Sequence, residues 1–308
     1  MNQQPKQEYT VNWNDVRRDY ANNKINERLF TDIRGEEVHR DLGKVARIMD
    51  GFERKVDVGI KDSDLHEYSI LKGIDDLDWF EELERGRIEA PITALLTSDY
   101  DDTLNHIDLL CFPRNKRTGK IIPFALDATY TTGEDARSLD KIDWQSHGKT
   151  NLSGVTRAKY CMVKGFNGQK DQRARTPILM PRFVVGFDNS LTESIIKATA
   201  STKIPSSNYY MLQNGADVTQ DEVAMNTLKA KWCFLKELEK QSSDLIEYLE
   251  PKQNDNPETL KMYKTAKFLS NYFNEAIEVA SEYDPKEAQD YPADDPVYQN
   301  IMSLRYTK

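Results

Sequence analysis

The chain reads as an α/β protein: a mixed central sheet flanked by helices, with helical N- and C-terminal extensions. Three observations predict this. Two apolar runs, His106 to Phe112 and Ile121 to Tyr130, flank the polar loop PRNKRTGK with Gly119 near its end, the pattern of a β-hairpin with a longer loop. The runs RFVVGFD (Arg182 to Asp188) and IIPFAL are almost continuously apolar, which suits strands covered on both faces. Helical periodicity dominates on either side of this stretch.

Residues 1–75 form the N-terminal extension. Val16, Tyr20, Ile25 and Leu29 recur at roughly helical spacing, as do Val38, Leu42, Val45, Ile48 and Met49. Their charged neighbours point to outer helices with one buried stripe. The α/β core spans 76–200. It opens on a helix near Asp76 carrying Leu77, Phe80, Leu83 and Ile88, which Pro91 breaks or restarts. DYDDTLN reads as a polar turn shaped by Asp101 and Asp102. After RFVVGFD, Ser190 and Glu193 have the spacing of a capping box that opens a helix through Ile195 and Ile196.

Residues 201–308 are helical again. Thr219 and Glu222 make a second capping box, and Val223, Leu228, Trp232, Leu235 and Leu238 follow on one face. Pro251 stops that helix, and Asn256-Pro257 has the residue types of an N-cap and first helical position. A second helix runs through Leu260, Tyr263, Leu269, Tyr272 and Phe273, so the two should form an antiparallel hairpin. The acidic, proline-containing tail DPKEAQDYPADDPVYQ is expected to be loosely held.

Composition narrows the function classes. With 15 Tyr, 11 Phe and 4 Trp in 308 residues, the chain can fill a sizeable core. Three widely spaced cysteines and no CxxC argue against a disulfide scaffold or structural zinc, so Cys111, Cys161 and Cys233 are expected to pack as small apolar residues. The hydrophilic N-terminus shows no signal peptide, and no apolar run is long enough for a membrane span, so a cytoplasmic protein with no membrane partner is expected. The histidines fall into no HExxH or H-x-E spacing, and no P-loop, dinucleotide fingerprint or GxSxG elbow is present. A net charge of −9 argues against nonspecific nucleic-acid binding. Between Lys141 and Arg182, however, nine Lys/Arg stand against two Asp. That stretch fits either a solvated loop region or a phosphate-facing surface, whose contacts would be Arg157, Lys159, Lys164, Arg173 and Arg175.

Chemistry concentrates on the hairpin. Side chains alternate along a strand, so Asp127 shares a face with Ala125 and Thr129, and Asp108 shares one with Leu110 and Phe112. If register permits, Asp108 and Asp127 sit close together on one face. Carboxylates there must be paired or bound to a cation. A divalent metal relieves their repulsion, and Mg²⁺ is commonly held by one or two carboxylates plus water and substrate phosphate. Structural acids at strand ends, satisfied by backbone N–H groups or an arginine, would give the same pattern.

The order of these features resembles the PD-(D/E)xK nuclease superfamily, the restriction-endonuclease-like fold, over roughly residues 78–200. That fold runs helix, strands, helix, strand, with an acid on the first helix, an Asp on one strand and D/E-x-K on the next. The resemblance implies Glu89 as the helix acid (Glu82 is the runner-up), Asp108 as the strand Asp, and Asp127-Ala128-Thr129 at the D/E-x-K position. Glu89, Asp108 and Asp127 would hold Mg²⁺ or Mn²⁺. Thr129 stands where the family has its lysine, and a hydroxyl donates a hydrogen bond but carries no charge. Another cation, Lys141 being the nearest lysine downstream, would have to replace it for the site to orient water. The implied activity is metal-dependent hydrolysis of DNA or RNA phosphodiesters. Two other readings stay open: a catalytically inactive nucleic-acid-binding module of the same fold, and a protein-interaction or homodimer role for the C-terminal helices.

Overall fold

The computed structural model describes residues 11–53, 62–77, 79–80, 92–114, 119–129, 154–163, 171–200 and 222–302. At its centre is a mixed five-stranded sheet in the order β1 (Thr93–Leu96), β2 (Leu109–Phe112), β3 (Phe124–Thr129), β7 (Ile178–Gly186), β4 (Val155–Ala158). The first three strands are an antiparallel meander. β7 runs parallel to β3, and β4 closes the far edge antiparallel to β7. A separate two-stranded ribbon joins β5 (Met162–Val163) to β6 (Gln172–Arg173).

The expected hairpin is therefore present, with Leu109 opposite Leu126 and Cys111 opposite Phe124. All six residues of β3 are buried, as are eight of the nine in β7, so both strands are covered on both faces. Phe124, Leu126, Phe183 and Val185 face one core, and Leu95, Leu110, Ala125 and Met180 face the other.

Helices cover the first face. α4 (Asp62–Asp75) packs on β1 and β3, and α6 (Asn189–Ala200) packs against α4. Behind them α7 (Glu222–Leu249) and α8 (Pro257–Tyr283) form the expected antiparallel hairpin against β7. Pro257 opens α8 and the Asn256 side chain accepts from the Thr259 N–H at 2.9 Å, as the sequence predicts. Aromatic rings knit this side together: Phe124, Phe183 and Phe273 meet pairwise at 5.5–6.0 Å between centroids. The second face is covered from the N-terminal side, where Ile25, Phe30 and Val38 join its core. Those residues belong to the segments around α1 (Trp13–Asn23), α2 (Thr31–Arg34) and α3 (Glu36–Glu53).

Four local expectations are corrected. DYDDTLN is a helix, α5 (Asp99–Asn105), because Ser98 caps it by accepting from the Asp101 N–H and three acids sit in its positive first turn. Residues 76, 77, 79 and 80 are turns that follow α4, not a helix start; Leu83, Ile88 and Pro91 lie outside the described residues. The cap of α6 is Asp188, whose Oδ1 accepts from the Ser190 N–H at 2.8 Å, so the Ser190–Glu193 box is not the helix start. Thr219 of the second box lies outside the described residues.

The tail is the fourth correction. It folds into α9 (Lys286–Asp290), a 3₁₀ turn and α10 (Pro296–Met302). Asp284 anchors it by accepting from Trp232 Nε1 at 2.8 Å and pairing with Lys231 at 3.2 Å, both buried. Asp295 is fully buried, accepting from the Val297 and Tyr298 N–H groups.

These C-terminal elements also finish β7. Its partner β4 reaches only Pro181. Beyond that point Gln241 of α7 bonds both the N–H and the C=O of Val184, at 2.9 and 2.6 Å. Glu237 accepts from the Gly186 N–H at 3.0 Å, and Asp295 from the Asp188 N–H at 3.0 Å. Side chains thus take the place of a neighbouring strand at every second residue. The three cysteines are buried and unpaired, as expected. No helix among the described residues is long and apolar enough to cross a membrane.

Candidate active site

Asp108 and Asp127 come together through the end of the hairpin ladder. Thr97 N–H donates to the Asp108 carbonyl and Asp108 N–H donates to the Leu126 carbonyl, both at 2.9 Å. Asp108 Oδ2 then accepts from the Ala128 N–H at 2.6 Å. That nitrogen belongs to the peptide joining Asp127 to Ala128, so the Asp108 carboxylate rests against the backbone of Asp127. Where β2 begins, the side chain supplies the acceptor that a longer strand would provide.

Asp127 is buried and pairs in register with Val184 of β7. It stands near the C-terminal end of the parallel pair β3–β7, the end at which open α/β sheets place ligands. Thr129 follows on the same face, buried, with Gly186 as its register partner. A cavity of about 590 Å³ lined by Ile122, Pro123, Leu179, Leu260, Lys261 and Lys264 lies at the other end of these strands, away from the acids.

A third carboxyl, Glu67 of α4, lies near enough for the Asp108 charge to act on it, although α4 packs on the opposite face of the sheet from Asp127. Glu67 is 8% exposed and receives a hydrogen bond from Tyr20 at 3.0 Å. Burial, then the charges of Asp108 and Asp102, push its carboxyl well above the usual range. Asp102 is raised too, first by burial, with Lys24 working against the shift. Lys24 pairs with Asp99 at 2.7 Å and Asp102 at 3.3 Å; their charges outweigh its burial and raise it. The end of the sheet that bears Asp108 is therefore acidic, with one lysine at its margin. Among the described residues no group of three or more His, Cys, Asp and Glu side chains is arranged to hold a metal ion. What the strands do bring together is one pair of carboxylates, Asp108 and Asp127, at neighbouring register positions of β2 and β3.

Glu89 and Lys141 lie outside the described residues, as do Glu82 and Lys164. Among the basic candidates, Arg157 is engaged by Glu258 at 3.0 and 3.1 Å. Lys159 pairs with Asp41 and with Glu37 at 2.7 Å. Arg173 forms a two-bonded fork with Asp32 at 2.7 and 2.9 Å. Arg175 is exposed. Three of the five are thus held by the chain's own acids, and two of those pairs tie the N-terminal helices to the β4–β6 region. Asp101, read as a turn former, does similar work: it is buried and accepts from the Lys159 and Tyr160 N–H groups, each at 2.8 Å.

Glu67 and Arg182 are buried charged residues near these strand ends that the sequence did not single out. Glu67 sits in HEYSIL, where residues 66–71 are all buried. A lone acid inside a run of buried helical residues was the available signal. Arg182 opens RFVVGFD and reads as a strand boundary, yet it lies inside β7 and is buried.

Comparison with known proteins gives no match: no family model, curated protein or solved structure matches the chain.

Proposed function

We propose that this protein is a divalent-metal phosphodiesterase of the restriction-endonuclease-like type, acting on DNA or RNA. The observation that carries the reading is the Asp108 carboxylate resting on the Asp127–Ala128 peptide at the C-terminal end of β3. The architecture supports it as far as a helix, three meandering strands and a later strand parallel to the third; the helix that the resemblance implies before that last strand is not among the described residues.

In this reading Asp108 and Asp127 would hold Mg²⁺ or Mn²⁺, its remaining positions filled by water and substrate oxygens, with Glu89 as the helix acid that the resemblance implies. When bound, the ion lowers the pKa of a coordinated water and neutralises phosphate charge. Hydrolysis would add one water across the P–O ester bond, its hydroxyl going to phosphorus and its other proton to the departing alcohol. Thr129 offers a hydroxyl toward the water and no charge.

The test is nicking of supercoiled plasmid, and cleavage of labelled single-stranded DNA and RNA, with Mg²⁺ or Mn²⁺. The wild type is expected to cleave, and Asp127→Ala to lose at least a hundredfold (about 2.7 kcal/mol at 1.36 kcal/mol per tenfold). Cleavage that persists unchanged in Asp127→Ala removes this site from consideration.

A further inference from the structure

Arg182 as a whole residue is 6% exposed. The one hydrogen bond of its side chain among the described residues is from Nη1 to the His106 carbonyl at 3.4 Å, longer than an ordinary N–H···O bond. No described acid lies within ion-pair distance of it. Removing an arginine from water without a counter-charge costs several kcal/mol, so a fold that keeps one in this state normally supplies an anion.

The register shows where that anion would be. Arg182 pairs with Ala125, and Val184 with Asp127, in the parallel β3–β7 ladder. Met180 and Ala125 belong to one core and Phe183 and Val185 to the other, so Arg182 shares its face with Ala125, Asp127 and Thr129. His106 lies just before β2, on the far side of β3 from β7. To reach its carbonyl the arginine side chain must cross β3. Its register partner on that strand is Ala125, which carries only a methyl, and His106 lies toward the strand end that bears Asp127 and Asp108. A cation on β7 thus shares the sheet face of Asp127.

We infer that Arg182 is the residue that grips the substrate's phosphate at this centre, its guanidinium donating to the non-bridging oxygens. It supplies the positive charge that Thr129 does not. The assignment rests on the nuclease-like reading and gives it a cation within the described fold, on an element the resemblance does not point to. A planar fork suits the task, because it can donate two parallel bonds to one phosphate where an ammonium acts as a point charge.

The experiment measures metal and phosphate separately. Mn²⁺ uptake is read from the loss of the free-ion electron paramagnetic resonance signal. Phosphate binding is read by fluorescence anisotropy of a labelled oligothymidylate, in Ca²⁺ and again in EDTA. Arg182→Gln is expected to take up Mn²⁺ as the wild type does and to bind the oligonucleotide at least tenfold more weakly. Wild-type oligonucleotide affinity in a folded Arg182→Gln overturns the assignment, as does a wild type that binds no oligonucleotide. Should Arg182→Gln not fold, Arg182→Lys decides: several-fold weaker binding supports the fork, and unchanged binding overturns it. A wild type that takes up no Mn²⁺ but loses oligonucleotide affinity on Arg182→Gln sinks the metal reading and leaves the phosphate contact standing.

Discussion

Asp108 Oδ2 and the backbone nitrogen of Ala128 are 2.6 Å apart, so one carboxylate both ends a strand ladder and borders the candidate metal site. The two roles separate by substitution. Asp108→Asn keeps an acceptor for the Ala128 N–H and removes the charge. It should fold with near-wild-type stability and lose Mn²⁺ uptake. Asp108→Ala also strands a buried donor and should cost a further ~1–3 kcal/mol. Urea unfolding alongside metal titration distinguishes them, and a stable Asp108→Asn that binds Mn²⁺ normally would confine Asp108 to its structural role.

Glu237 gives a pH prediction outside the site. It is fully buried, and burial pushes its carboxyl well above the usual range. Oε2 takes the Gly186 N–H, and Oε1 has no hydrogen-bond partner. A raised folded-state pKa means the native state holds a proton that the unfolded chain has released. Stability from this group is therefore complete below the unfolded value and falls as pH rises toward the folded one, by at most about 1.4 kcal/mol per pH unit. Glu237→Gln removes that loss. The variant should gain stability relative to wild type between pH 5 and pH 8, seen as a rising difference in urea midpoint. A difference that stays flat with pH rejects the protonated-glutamate account.

The buried pair Lys231–Asp284 should be stiffly coupled. Lys231→Met leaves Asp284 charged in an apolar setting, still bonded to Trp232 Nε1, and should destabilise by about 3–5 kcal/mol. The double variant Lys231→Met/Asp284→Leu should recover much of this, because removing both charges removes the desolvation penalty. Additive losses in a double-mutant cycle would show that the two residues act independently.

Gly186 meets its neighbours with no room to spare. A Cβ there would fall inside contact with the Thr129 carbonyl oxygen and at 2.9 Å from Thr129 Cγ2. Gly186→Ala must push β3 and β7 apart beside Asp127, at a cost of about 1–3 kcal/mol for overpacking. Cleavage should fall more steeply than stability does, because Thr129 moves with the strand. Unchanged cleavage in a folded Gly186→Ala would place the chemistry away from Thr129.

The sequence made the hairpin and β7 legible, because continuous apolar runs bounded by Gly, Pro and Asp have few other uses. It also marked Asn256-Pro257, whose capping chemistry is local. α5 was hidden because seven residues are too few to show periodicity and its three acids look like a loop. The tail was misread for a related reason: Asp284 and Asp295 look like solvated charges until their buried donors are seen. Arg182 and Glu67 did not stand out because their meaning lies in what sits across the sheet. Spacing along the chain holds no record of that.

The side-chain lacing of β7 by Gln241, Glu237 and Asp295 bears on self-association. A strand with bare N–H and C=O groups is a template on which another molecule's strand can grow. Here an amide and two carboxyl groups occupy those positions, and none can propagate a ladder. Gln241→Leu would unpair both hydrogen-bonding groups of Val184 while keeping α7 apolar and well packed. With Val184 buried beneath α7, those two groups would have neither partner nor water, and the variant should unfold at a lower urea concentration than wild type.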